Sequence, residues 1–66
     1  MKVIRKLSEY PDPWFGNNQI LICQDSSGNF WKVHNNDSCP KDHPEHMRKI
    51  NKVKKRIVER EVWDDI

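Results

Sequence analysis

Shortness is the feature that most constrains what this chain can fold into. Its 66 residues leave room for a single domain, residues 1–66, which buries about 60% of the surface that the unfolded chain exposes. Hydrophobic residues make up 35% of the sequence and charged residues 33%, so the core must be thin. A thin core cannot easily shield a catalytic pocket from water. The size therefore favours a non-enzymatic binding protein, and it leaves open self-association to a dimer.

The N-terminal segment predicts an edge strand followed by a loop. Residues 2–9 mix β-branched and charged types, which is typical of a strand with one solvated face. Residues 10–18 contain Pro11 and Pro13, which fix φ and lack backbone donors, and they end in small and polar residues that tolerate turns. We therefore expect a loop between residues 10 and 18.

The next segment predicts a β-hairpin. Residues 19–24 and 29–34 are β-prone, and they flank the turn cluster Asp25-Ser26-Ser27-Gly28, whose glycine can adopt positive φ. With the first strand, this hairpin makes a three-stranded, mostly antiparallel sheet.

The last third of the chain predicts an amphipathic helix. Asp42 is a suitable N-cap, and Glu45 three residues later completes a pair similar to a capping box. The apolar residues that follow recur at spacings of three, three and four: Met47, Ile50, Val53 and Ile57. No Gly, Pro or Asn interrupts the segment after Asn51, so we expect the helix to run to about residue 63. The alternative is a short helix followed by a fourth strand.

These elements predict an α+β fold in which the C-terminal helix packs on one face of the sheet. The expected core takes apolar residues from both: Val3 or Ile4, Leu7, Ile20, Ile22, Trp31, Val33, Met47, Ile50, Val53 and Ile57.

Four side chains are of the types that bind zinc, namely Cys23, Cys39, His43 and His46. Structural zinc sites usually take two ligands from a tight turn on each side, whereas Cys23 stands alone in a predicted strand. A nucleophilic Cys39 would need a pocket and an oriented base, which the sequence does not indicate. We therefore predict no catalytic residue, no metal and no cofactor, and the sequence leaves zinc binding by Cys39, His43 and His46 as the alternative.

Basic residues are concentrated in one segment, although the formal net charge is only +2. Between residues 48 and 56, six of nine residues are basic: Arg48, Lys49, Lys52, Lys54, Lys55 and Arg56. On a helix they would lie opposite the apolar stripe, where they could neutralise phosphates or simply face water. Nucleic-acid binding through a basic C-terminal helix is therefore one hypothesis.

The preferred hypothesis is a protein-binding modulator or inhibitor that occupies a site on a larger protein or enzyme complex, of a kind common in phages and mobile elements. Trp14 and Phe15 sit in a proline-bracketed loop and are the residue types that form hot spots at interfaces. The predicted binding surface combines them with the basic segment: Trp14, Phe15, Arg48, Lys49, Lys52, Lys55 and Arg56.

The chain is expected to act in the cytoplasm, that of the host cell if it is encoded by a phage. Its N-terminus has charges among its apolar residues and lacks the uninterrupted stretch of a secretory signal. No segment approaches the 18 apolar residues of a membrane span, so no membrane partner is expected.

Overall fold

The computed structural model describes residues 1–44, 46–57 and 59–66, and every regular element in them is a β-strand. The five strands are β1 (Lys2–Pro11), β2 (Asn17–Gln24), β3 (Phe30–Asn36), β4 (Met47–Ile57) and β5 (Glu61–Asp65). They form one antiparallel sheet in the order β1-β2-β3-β4-β5. Because the described part of the chain contains no helix, it also contains none that is long and apolar enough to span a membrane.

The prediction of an α+β fold with a basic C-terminal helix is wrong, and the fold is all-β. Asp42 lies in a series of turns and caps no helix, while its predicted partner Glu45 is outside the described residues. Of the apolar stripe, only Val53 is buried, whereas Ile50 is 45% exposed and Ile57 80%. Valine and isoleucine lose side-chain freedom in a helix and suit a strand, and pairing with strands on both sides adds to that preference.

The alternative prediction also contained a helix and is wrong in that respect. The end of the chain nevertheless forms a strand, β5, which pairs with the second half of β4.

The strands predicted in the first half of the chain are confirmed, whereas the predicted loop of residues 10–18 is shorter and comprises residues 12–16. Strand β1 covers the predicted segment and continues to Pro11. Strands β2 and β3 form the predicted hairpin. Its turn is closed by a hydrogen bond from Gly28 N to Asp25 O (3.1 Å), and the φ of Gly28 is +89°, which favours glycine.

The sheet curls into a half-barrel. In a flat sheet, four inter-strand spacings would separate the two edge strands by about 19 Å. Here Arg5 on β1 reaches Glu61 on β5 with two hydrogen bonds, Nε to Oε1 at 3.0 Å and Nη2 to Oε2 at 2.7 Å. The face that carries Arg5 and Glu61 is therefore concave.

Each face of the sheet buries its own small set of apolar side chains. On the concave face Ile22 and Val53 are almost fully buried, and Phe30 packs edge-on against Trp63 with ring centroids 4.9 Å apart. On the convex face a cluster of four residues forms: Leu21, Cys23, Val33 and the half-buried Trp31. A single sheet thus distributes its limited apolar material over two thin layers.

The predicted core is confirmed in the middle of the sheet and wrong at its edges. Ile22, Val33 and Val53 are buried. The apolar residues of β1 and the other residues of the supposed helical stripe are exposed: Val3, Ile4, Leu7, Met47, Ile50 and Ile57. Without a helix to cover them, these positions have no second layer to pack on.

Candidate functional site

The loop between β1 and β2 is organised by the side chain of Asp12. Its Oδ1 accepts hydrogen bonds from the backbone N–H groups of Trp14 (2.8 Å) and Phe15 (3.0 Å). Its Oδ2 accepts a bond from Asn18 Nδ2 (2.9 Å), and its backbone N–H donates to Gly16 O (2.9 Å). One carboxylate thus fixes both the backbone of the loop and its attachment to β2.

Glycine at position 16 is required by the conformation of the same loop. The φ of Gly16 is +32°, and a Cβ at this position would collide with the Ser38 hydroxyl. Pro11 and Pro13 restrict φ on either side of Asp12. The loop 12–16 therefore has little conformational freedom.

The two aromatic residues of this loop differ sharply in exposure. Trp14 is 85% exposed, so nearly its whole indole faces solvent. Phe15 is 44% exposed, lines a small cavity and is tied down through its carbonyl oxygen, which accepts a hydrogen bond from Asn36 Nδ2 (2.9 Å). Phe15 supports the loop and Trp14 is presented by it.

Asn36 at the end of β3 joins the loop 12–16 to the connection between β3 and β4. Its amide nitrogen donates to Phe15 O and to Asn18 Oδ1 (3.0 Å). Its Oδ1 accepts hydrogen bonds from the backbone N–H groups of Ser38 and Cys39, both at 3.0 Å. Asn36 is buried, so each of these bonds replaces one lost to water.

Asn18 on β2 completes this network on the concave face. It is buried, and its Oδ1 accepts from Asn36 and lies 2.8 Å from His34 Nε2. Because Asn18 Nδ2 donates to Asp12, its oxygen faces the histidine, and His34 Nε2 must carry a proton. Among the described residues, no buried side-chain nitrogen or oxygen is left without a partner. The network is therefore fully hydrogen-bonded, which makes it rigid.

The same contacts control the ionisation of Asp12. The hydrogen bond from Asn18, followed by those from the backbone N–H groups of Trp14 and Phe15, lowers the pKa of Asp12 below its ordinary value. Asp12 is therefore ionised at neutral pH, where a carboxylate is the stronger acceptor.

A cavity of about 60 Å³ lies behind the loop. Seven residues line it: Asp12, Phe15, Asn18, His34, Asn36, Cys39 and His43. This volume can hold a few water molecules and is far smaller than the pockets that take up small-molecule ligands.

Of the four side chains considered as zinc ligands, Cys23 lies apart from Cys39, His43 and His46. Cys23 is buried in the convex cluster, where burial raises the pKa of its thiol. Cys39 and His43 line the cavity at the loop, and His46 Nδ1 is hydrogen-bonded to Cys39 O (2.7 Å). In residues 1–44, 46–57 and 59–66 no three His, Cys, Asp or Glu side chains are placed to hold a metal ion.

The predicted binding residues divide between the loop and strand β4, and on β4 they divide again between its two faces. Trp14 and Phe15 belong to the loop. The basic residues of the predicted binding surface lie on β4: Arg48, Lys49, Lys52, Lys55 and Arg56. The register places Lys49 and Lys52 opposite Val33 and Trp31 on the convex face, and Arg48 opposite His34 on the concave face.

Two of these basic residues are engaged by acidic residues of β5. Lys55 Nζ lies 3.6 Å from Glu61 Oε2 on the concave side, and Arg56 Nε lies 3.2 Å from Asp64 Oδ2. Their charges are therefore partly neutralised within the chain.

Sequence reasoning did not identify Asp12, Asn18 or Asn36 as residues of this site. An aspartate two positions before a predicted exposed tryptophan, in a Pro-Asp-Pro sequence, is a signal for a side-chain-capped turn. No sequence signal pairs Asn18 with Asn36, because their meeting depends on the register between β2 and β3.

No protein-family model matches this chain, and neither the curated proteins nor the solved structures include a match.

Proposed function

We propose that the chain is a non-enzymatic protein-binding module that docks on a larger protein through the loop 12–16, with Trp14 as its anchor. One observation supports this proposal above the others. A tryptophan that is 85% exposed sits on a loop held by the hydrogen bonds of Asp12 and Asn36.

The exposed indole is the source of the proposed affinity. Tryptophan is enriched among hot-spot residues, and truncating such a residue typically costs about 2–4 kcal/mol of binding free energy. Because Trp14 is 85% exposed, nearly its whole side-chain surface is accessible to a partner. The proposed partner supplies an apolar pocket for a single aromatic side chain.

The rigidity of the loop supports the same proposal. A flexible loop loses backbone and side-chain freedom on binding, and that loss subtracts from affinity. The loop 12–16 has lost most of this freedom when the chain folds, because Asp12 accepts hydrogen bonds from its backbone and Pro13 restricts φ. Binding therefore retains more of the free energy gained by burying Trp14.

The proposed effect on the partner is inhibition or redirection by occupancy of a site. We place this binding in the cytoplasm, because a reducing compartment suits two buried cysteines that are both free.

Affinity capture with the wild-type chain and Trp14→Ala in parallel tests the proposal. We expect a partner that the wild type retains and Trp14→Ala loses, and purified partner should then bind the variant at least thirtyfold more weakly, about 2 kcal/mol. Ile57→Ala is the matched control, because Ile57 is 80% exposed but lies on β4. Equal retention by all three chains would refute the proposal.

A second variant separates the anchor from its support. Asp12→Ala keeps Trp14 but removes the acceptor that fixes the loop, so we expect affinity to fall by about tenfold, less than on loss of the indole. Isothermal titration calorimetry should show that this loss of affinity comes from a less favourable entropy of binding. An unchanged affinity would contradict the role given to loop rigidity.

A further inference from the structure

Strand β4 is the most strongly charged element of the fold. Six of its eleven residues are basic and none is acidic. Lys49 and Lys52 are three positions apart, so in a regular strand they would point to opposite faces. The register shift between Lys32 and Val33 leaves Ile50 as an extra residue on β4, which puts Lys49 and Lys52 on the same face.

Three lysines form a row on the convex face, Lys49, Lys52 and Lys54, which we term the convex lysine row. Lys52 and Lys54 are two residues apart on the strand, a rise of about 7 Å. All three are exposed, and none forms an ion pair with any residue that the structure describes. Two other cations of this face are paired with carboxylates, since Lys6 on β1 pairs with Glu9 and Arg56 on β4 pairs with Asp64.

Trp31 lies beside this row on β3. Its register partner on β4 is Lys52, and Lys49 Nζ lies 4.5 Å from the centre of its ring. The indole is half-buried and held by a hydrogen bond from Nε1 to Asp25 Oδ2 (2.9 Å). A fixed aromatic ring thus lies beside Lys49 and Lys52, neither of which has a carboxylate partner among the residues that the structure describes.

We propose that the convex lysine row and Trp31 bind single-stranded nucleic acid, with the lysines on successive phosphates. Charge complementarity supports this occupant, because a row of cations without partners on an extended strand matches a regularly spaced polyanion. The surface is separate from the Trp14 loop, so the inference goes beyond the proposed protein binding and does not depend on it.

The aromatic ring favours a single strand over a duplex. The bases of a duplex are stacked on one another, whereas an unpaired base is free to stack on an aromatic side chain such as Trp31. Stacking on Trp31 requires Lys49 to leave the ring for a phosphate. That exchange is favourable, because base stacking is stronger than a cation–π contact at an exposed site.

The test is the binding of a fluorescein-labelled oligo-dT of 20 nucleotides, measured by anisotropy as a function of salt. Three phosphates neutralised on a single strand give a slope of about −2 for log affinity against log salt. Lys52→Gln with Lys54→Gln should weaken binding at least tenfold at low salt and bring the slope to about −0.7. Lys2→Gln with Lys41→Gln removes the same charge elsewhere and should leave affinity within about twofold.

A charge change of the opposite sign sharpens the test. Asp64 is the register partner of Lys54 and lies on the same face. Asp64→Asn removes a carboxylate from the position opposite Lys54 and releases Arg56 from its ion pair, so we expect binding to strengthen about two- to fivefold. Trp14→Ala should bind the oligonucleotide like the wild type. Circular dichroism confirms that each variant is folded.

Three results would overturn the proposal: no binding of oligo-dT at 50 mM salt, an equal loss in the Lys2 and Lys41 control, or equal affinity for poly-glutamate of matched charge. Poly-glutamate carries carboxylates without bases, so equal affinity would assign the surface to an acidic protein. Equal affinity for a 20-base-pair duplex would remove the single-strand assignment.

Discussion

The loop 12–16 and the convex lysine row are opposites in how they are built. The loop presents one apolar side chain, and beneath it the polar groups of Asp12, Asn18 and Asn36 are hydrogen-bonded to one another and to the backbone of the loop. The row presents three charges whose long side chains carry few internal contacts. A surface can thus be prepared for binding by fixing its shape or by leaving its charge unpaired, and this fold does each in a different place.

The largest expected effect comes from a substitution in the core of the sheet, which supports both the loop and the convex lysine row. Ile22 is fully buried on the concave face of β2, so Ile22→Ala should reduce the free energy of unfolding by about 2–5 kcal/mol. Ile50 has the same side chain but is 45% exposed at a bulge, and Ile50→Ala should cost about 1 kcal/mol or less. Urea denaturation measures both, and equal losses would contradict the assigned core.

The next variant damages the loop and spares the row. Asn36→Ala removes the donor to Phe15 and Asn18 and the acceptor for two backbone N–H groups, which should destabilise the chain by about 1–3 kcal/mol. Asn35→Ala is the matched control, because Asn35 is only half-buried and makes a single bond to Gln19. Affinity for oligo-dT should be unchanged in both variants, and a selective loss in Asn36→Ala would couple the two regions.

A pH titration tests the hydrogen bonds of Asp12 in the loop without a substitution in the chain. The pKa of Asp12 is lowered by Asn18 and by two backbone N–H groups, so the contribution of Asp12 to stability is complete above its unfolded pKa of about 4. That contribution is lost as the pH falls through the lowered folded value. The backbone amide resonances of Trp14 and Phe15 should shift in that range and stay fixed in Asp12→Asn. A midpoint at or above 4 would contradict the hydrogen bonding assigned to Asp12.

The smallest expected effect concerns the curl of the sheet. Arg5→Gln breaks the two bonds between the edge strands, but this pair is largely exposed and adds little to stability. We expect a small fall in the urea midpoint at 20 mM salt that disappears at 0.5 M salt, where exposed charges are screened. A large fall that persists at high salt would mean that the ion pair holds the half-barrel together.

The hairpin and the first strand could be predicted because their signals are local. Alternation in residues 19–24 and 29–34 and a turn sequence ending in Gly28 determine the pairing of neighbouring strands. The loop was predictable from its prolines for the same reason. The sequence also identified Trp14 as a candidate anchor, although it did not identify the carboxylate that fixes the loop.

Strand β4 was not predictable because its apolar residues have the spacing that is typical of an amphipathic helix. Met47, Ile50 and Val53 recur every third residue, which is a helical spacing. In the fold, Ile50 is the extra residue of a bulge, so the spacing of three arises from an irregular strand. The same bulge determines which lysines of β4 share a face. The convex lysine row therefore contains Lys54, whereas the basic surface expected from the sequence contained Lys55 and Arg56.

Strand β4 also changes its neighbour at Val53. Residues 47–53 pair with β3, and residues 53–57 pair with β5. Local unfolding can therefore begin at β5 and the end of β4, because beyond Val53 this segment is joined to β1 and β3 by few side-chain contacts, among them Arg5–Glu61 and Phe30–Trp63. The amide hydrogens of β5 and the end of β4 should therefore exchange with solvent sooner than those of β2 and β3. Limited proteolysis should cleave the chain first in the same C-terminal segment.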